Sequence, residues 1–258
     1  MKSTEDTGVQ FHPERPCENT AEHVGRKEIL YHAYARLGTE DIQSFAVIGA
    51  FREGKSSLIN YLQQPDVLDK YLPEHGGRYV FLCIDFKNEI ISDPTEFFEL
   101  FYQKAGRLLN LDGLKNMWDD LSCITEQLDK NDQKLITTFD NFNLLVTNPN
   151  FPVNFFEGLR SWFSTNRDVG CIVTSPLQLL NLAVPVELAG SPFFNIFDAY
   201  SLHPFSFSEA KQLIEERLPA ELRERDKDLT RLINNFGFSP YPLHVAGKAW
   251  LTCFQQGT

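Results

Sequence analysis

The chain has 258 residues, 42% of them hydrophobic and 23% charged, enough for one α/β core of ordinary size plus a small appended domain. A net charge of −11 argues against a broad cationic face of the kind that holds duplex DNA by neutralising phosphates. Five scattered cysteines form no CxxC pair, which fits free thiols better than disulfides or zinc. No apolar run approaches the ~20 residues of a membrane helix and no signal peptide opens the sequence, so a cytoplasmic protein is expected.

Residues 1–20 are polar, carry Pro13 and Pro16, and read as a flexible tail. Ile29, Leu30, Ala33 and Leu37 recur at helical spacing and Gly38 follows as a stop. Phe45-Ala-Val-Ile48 is a short buried strand that runs into Gly49, and a helix should start at Lys55 and reach about Leu62. Tyr79–Asp85 is a second buried strand. Asp93-Pro94-Thr95-Glu96 reads as an N-cap, a proline at the first helical position and a first-turn acid, opening a helix to about Leu109. A further helix is expected from Gly113 to Asp129, then a strand at Lys134–Asp140 and an amphipathic helix from Pro152 to Ser164. Val169–Val173 and Asp198–Leu202 complete the strands. Ser206-Phe-Ser-Glu209 is a capping box, and from Pro219 to Trp250 the pattern is helical only. Strands alternating with helices imply a parallel five-stranded sheet covered on both faces. The expected division is a core over 21–205 and a helical lid over 206–258.

Gly49-Ala-Phe-Arg52-Glu53-Gly54-Lys55-Ser56 fits GxxxxGK[ST] at every fixed position, with a buried strand before it and a helix, beginning Lys55-Ser56-Ser57, after it. The glycines let backbone N–H groups surround phosphate oxygens at a helix N-terminus. Lys55 would reach the β- and γ-phosphates and Ser56 would ligate Mg²⁺. The second metal-holding group should be an acid at a strand end, Asp85 or Asp140. In additional-strand P-loop proteins that acid lies on the third strand in sequence, which selects Asp140. Thr174-Ser175, ending the fourth strand, stand where such folds place a polar residue facing the γ-phosphate or the attacking water. ATP is favoured over GTP, because Thr165-Asn-Arg-Asp168 has the wrong spacing and position for a guanine-gripping NKxD segment.

His23-Val24-Gly25-Arg26-Lys27-Glu28 resembles the N-terminal hhGRxxE box of one family, the STAND-type P-loop ATPases, and in particular their prokaryotic AAA-like members. Asn150–Ser161 resembles the helix after that family's metal-binding strand, Gly190–Phe197 the segment before its fifth strand, and Leu202–Ala210 the entry to its lid. Gly237-Phe-Ser-Pro240-Tyr-Pro-Leu243 is similar to its glycine–x–x–proline turn. The resemblance implies that Val24, Gly25 and Arg26 lie beside the nucleotide base and that Pro240 comes toward the adenine. It also implies a core that holds ATP under a closed lid and ADP with the lid reset. Such cores are joined to effector or sensor domains, serve defence or signalling, and assemble on activation.

Two departures bear on chemistry. The family commonly places an acid beside the metal-binding aspartate, but here Asp140 is followed by Asn141, and an amide can orient a water without taking its proton. No arginine lies between Arg167 and Arg217, the stretch that supplies a γ-phosphate finger in ring-forming AAA+ ATPases. Slow or absent hydrolysis is therefore expected, in a nucleotide-gated switch. The alternative is a DNA-associated ATPase of the origin-recognition or transposition kind, for which a winged helix with a basic recognition helix is expected and not found. A small-molecule kinase would need an arginine-rich lid.

Overall fold

The computed structural model describes residues 9–114, 118–182 and 192–256. In chain order its principal elements are α1 (Lys27–Leu37), β1 (Phe45–Ile48), α2 (Lys55–Leu62), α3 (Pro65–Tyr71), β2 (Tyr79–Asp85), α4 (Pro94–Leu109), α5 (Leu121–Asn131), β3 (Lys134–Asp140), α6 (Asn143–Val146), α7 (Val153–Thr165), β4 (Val169–Ser175) and β5 (Asp198–Ser201). The C-terminal helices are α8 (Phe207–Glu215), α9 (Ala220–Arg223), α10 (Asp226–Phe236) and α11 (Pro240–Gln256). The chain divides into two compact units. One comprises Met1–Glu28, Ala50–Gln64 and Leu202–Thr258, and the other Ile29–Gly49 and Pro65–Ser201.

The second unit holds the sheet, ordered β2-β3-β4-β1-β5 with every pairing parallel. β1 and β4 are buried at every position and β3 at all but its last, as strands covered on both faces must be, whereas β2 and β5 at the edges are partly exposed. β4 stands between β1 and β3, so the third strand in sequence is not a neighbour of the strand that leads into the phosphate loop. This is the additional-strand α/β architecture expected from the sequence. Phe97, Phe101, Phe139, Phe142, Phe156 and Phe193 are the largest fully buried rings of its core. Asp93 Oδ1 accepts from the Glu96 N–H at 3.0 Å, and Glu96 Oε2 from the Ser92 N–H at 2.7 Å, closing the start of α4 as its sequence requires.

The first unit packs α8, α10 and α11 around Leu213, Ile214, Leu229, Ile233 and Leu243. Residues 9–20 of the expected flexible tail are tied to it, while residues 1–8 lie outside the described residues. Phe11 is 3% exposed within the same cluster, and Arg15 forms a two-pronged ion pair to Glu22 at 2.9 and 2.8 Å. One large ring and one ion pair are enough to fix a segment whose average hydropathy is low.

Other departures are local. The helix expected from Gly113 begins at Leu121, because Gly113 has a φ of +80° and Leu111 to Leu114 are non-helical. Lys115 to Met117 of that expected helix, and Gly190 and Ser191 of the segment before β5, lie outside the described residues. β4 continues two residues past Val173, and α11 runs to Gln256, beyond Trp250. Phe193, Phe194, Phe197 and Phe205 are all buried.

Candidate functional site

The phosphate loop turns through two left-handed residues, Arg52 at φ +66° and Gly54 at φ +92°, before α2 begins at Lys55. Glycine adopts that conformation without steric cost, and α2 then starts with its N–H groups facing the loop. Lys55 is 9% exposed, and its Nζ donates to the Ala50 carbonyl at 2.9 Å, across the loop. The Arg52 guanidinium lies 3.8 Å from the Tyr241 ring centroid, a cation–π contact with α11. Ser57 Oγ accepts from the Cys17 N–H at 3.1 Å, tying α2 to the N-terminal segment.

Three of the sequence segments singled out above meet this loop inside the first unit. Arg26, also left-handed at φ +63°, donates from its guanidinium to the Glu53 carbonyl at 3.0 Å and to the His203 carbonyl, and lies 4.4 Å over the Phe205 ring. Its backbone N–H donates to Glu209 Oε1 at 2.9 Å, while Glu209 Oε2 accepts from the Ser206 N–H at 2.8 Å and closes the capping box of α8. Gly25 is left-handed at φ +70°, which favours glycine, and a Cβ there would displace Glu209 Oε1, 2.2 Å away. Glu53 is 8% exposed, and its Oε1 accepts from the Ser239 hydroxyl at 2.6 Å. Pro240 follows Ser239 and lies 3.7 Å from where a Cβ on Gly54 would be. Val24 is buried in the core of this unit. Burial beside Arg26 and Arg217 lowers the pKa of His23 to about 4, and its ring stacks 4.0 Å from Tyr61.

In the second unit the strand tips carry the acids. Gly49 donates its N–H to the Ser175 carbonyl at 3.1 Å, and Ile48 is in register with Ser175. The Thr174 hydroxyl donates to Asp140 Oδ1. The Asn141 N–H donates to the same carboxylate oxygen at 3.1 Å and to Thr174 Oγ1 at 2.9 Å. Ser175, by contrast, closes its own turn, its Oγ donating to the Leu177 carbonyl at 2.7 Å. Asp85 is in register with Asp140 on the neighbouring strand, and its Oδ1 accepts from Asn141 Nδ2 at 2.7 Å.

Sequence reasoning left three of these groups without a place in the site. Glu209 was visible only as a helix cap, although its second oxygen serves Arg26. Ser239 gave no signal beyond standing before Pro240. Asp85 was recognised as a strand-end acid, but its tie to Asn141 spans two strands and no spacing encodes it.

No curated protein matches the chain by sequence. Among solved structures it is similar to the Aeropyrum pernix ORC2 protein in its ADPNP–ADP complexes, at 14% identity and TM-score 0.70, over 96% of this chain and 66% of that one. It is also similar to a Walker-type ATPase of Pyrococcus abyssi, at 15% identity and TM-score 0.61, over 95% of this chain and 71% of that one. The Aeropyrum pernix ORC1 protein in complex with DNA matches at 11% identity and TM-score 0.59, over 99% of this chain and 66% of that one. The chain thus spans about two thirds of the length of these relatives, and the likeness is one of fold. The family description Novel STAND NTPase 2 matches residues 39–229, from before the first strand to the tenth helix, and the chain belongs to this family, nSTAND2.

Proposed function

We propose that this chain is an ATP-binding, nucleotide-gated switch module of a signalling or defence protein of the cytoplasm, one that hydrolyses ATP slowly or not at all. The observation that carries the reading is the set of contacts Arg26 makes: to the phosphate loop through Glu53 and to the lid entry through His203 and Glu209. A nucleotide seated on this loop would bear on both segments at once.

In this reading the N–H groups of the loop from Gly49 to Gly54, with Lys55, hold the phosphates, and Ser56 and Asp140 hold Mg²⁺. A hydroxyl and a carboxylate are hard oxygen ligands of the kind Mg²⁺ takes, and Asp140 is already oriented by Thr174 and Asn141. The ion would neutralise charge on the β- and γ-phosphate oxygens. Val24, Gly25, Arg26 and Pro240 flank the adenine, Arg52 and Glu53 shape the loop, and Ser57 braces α2. Thr174 takes the sensing role, with Ser175 supporting its turn. ADP would occupy the same groups with the lid reset. The output goes to a protein partner or an appended effector or sensor domain, with assembly following activation.

Calorimetry with ATP–Mg²⁺ and GTP–Mg²⁺ tests the reading. ATP should bind in preference, and Lys55→Ala should weaken it by about 1.5–3 kcal/mol, the worth of a hydrogen bond to a charged group. Equal affinity of the two proteins for ATP would refute the assignment. The second reading, a DNA-associated origin-recognition ATPase, draws on the likeness to ORC1 in complex with DNA.

A further inference from the structure

The phosphate loop carries an arginine where its turn favours glycine. Arg52 is left-handed at φ +66°, a conformation uncommon in residues with a side chain, and such backbone outliers gather at ligand-binding sites. The residue is exposed, and its guanidinium lies over two rings, 3.8 Å from the Tyr241 centroid and 5.2 Å from that of Phe51. Among the described residues that guanidinium makes no hydrogen bond and no ion pair. Its five N–H donors are therefore available to an anion.

The ring under the guanidinium stands beside the end of the loop where α2 begins. Tyr241 follows Pro240, which lies 3.7 Å from the Cβ position of Gly54, the cap of α2. Loop, arginine and ring all belong to the first unit. A second contact holds the same turn of α11, because the Ser239 hydroxyl donates to Glu53 Oε1 at 2.6 Å. Glu53 is buried, so this bond is shielded from solvent, whereas the Arg52–Tyr241 contact is made by an exposed residue. At exposed sites a cation–π contact shifts an equilibrium by only about 2- to 5-fold. A hydrogen bond to a charged group is worth about 10- to 150-fold, and a guanidinium takes a phosphate with two at once. A phosphate within reach therefore outcompetes the ring.

We propose that Arg52 is a ligand of the terminal phosphate of ATP, and that its guanidinium passes from the Tyr241 ring to that phosphate when the triphosphate is seated on the loop. The inference rests on the ATP-binding reading above and names the residue that tells ATP from ADP. A terminal phosphate carries about two negative charges at neutral pH, more than the single charge of Lys55 neutralises. The exchange of partners frees the Tyr241 ring, in the first turn of α11, while Ser239 keeps that turn attached to Glu53. The lid thereby registers the terminal phosphate through one residue of the loop. No covalent bond is made or broken in the exchange.

The test is calorimetry with ATP–Mg²⁺ and ADP–Mg²⁺, read as the ratio of the ATP affinity to the ADP affinity. Contacts to the base and to the other phosphates cancel in that ratio. Arg52→Gly suits the left-handed backbone and removes only the side chain; it should lower the ratio by about tenfold or more. Arg52→Lys keeps a charge without the fork and should restore part of the loss. Tyr241→Leu removes the competing ring and should raise the ratio by about 2- to 5-fold, but should change nothing in the Arg52→Gly background. The two single substitutions thus act with opposite signs. A static clamp of arginine on tyrosine requires the same sign from both, and that result overturns the proposal. So does an unchanged ratio in Arg52→Gly with ATP still bound. Tyr241→Leu carries the test if Arg52→Gly does not fold. No ATP binding by the wild type overturns the underlying reading and this inference with it.

Discussion

Two half-buried histidines set how the first unit responds to acid. Burial lowers the pKa of His23 to about 4, and burial with Arg217 nearby lowers that of His244 to about 3; each has one buried ring nitrogen without a hydrogen-bond partner. Both folded values lie below the ordinary 6.5, so the unfolded chain binds these protons more readily than the folded one. Their contribution to stability is fully present above pH 6.5 and is lost as pH falls toward 4 and then 3. The slope is up to about 1.4 kcal/mol per pH unit for each histidine. Glu22, held down to about 2 chiefly by its hydrogen bonds from Arg15, loses its contribution only below its ordinary 4.5. Urea unfolding between pH 4.5 and 7.5 therefore isolates the histidines. Stability should fall steadily below pH 6.5, and His244→Leu should flatten the curve; a flat wild-type profile would show that both rings are hydrated.

At the scale of elements, α8 and α4 illustrate different kinds of local logic. The capping box of α8 is written in Ser206 and Glu209, yet the same glutamate also accepts from the Arg26 N–H, a residue 183 positions away. Glu209→Ala should cost the cap, about 0.5–2 kcal/mol, and should also expose the amide of Arg26. Hydrogen exchange reads both effects, and unchanged protection of Arg26 would mean the second contact is idle. In α4 the N-terminal signals were visible in advance, but the left-handed C-cap Asn110 and the ranking of its buried face were not. Phe97 is 0% exposed and packs edge-on against Phe155 at 5.1 Å and Phe139 at 5.8 Å. Phe97→Ala should destabilise the second unit by about 3–5 kcal/mol, measured by the shift of its urea midpoint.

Across the whole chain, the parts legible in the sequence are those encoded over short distances. β1, β2 and β3 lie at their expected residues because β1 and β2 are continuous apolar runs ending at Gly49 and Asp85, and β3 is a short β-rich run, broken only by Thr137-Thr138, that ends at Asp140. The phosphate loop was complete in eight residues. The pairings of Arg26 with Glu53, Ser239 with Glu53, and Asn141 with Asp85 were not legible, because each joins groups 27 to 186 positions apart. Charge is the whole-molecule property that bears on the choice between the two functional readings. Non-specific DNA binding falls at roughly 10⁻⁴–10⁻⁶ M and rests on cations displacing counterions from phosphates. A chain of net charge −11 starts that competition with repulsion, and only a local cluster of lysine and arginine could reverse it. Duplex DNA titrated into the ATP–Mg²⁺-loaded protein at low salt should therefore show no saturable anisotropy change across that range. A saturable rise that weakens steeply with added salt would instead favour the origin-recognition reading, since the salt slope counts the phosphates neutralised. The nucleotide state matters to the design: a DNA surface formed only with ATP would be missed in its absence. The titration is therefore repeated with ADP, and the switch reading expects the same null result in both.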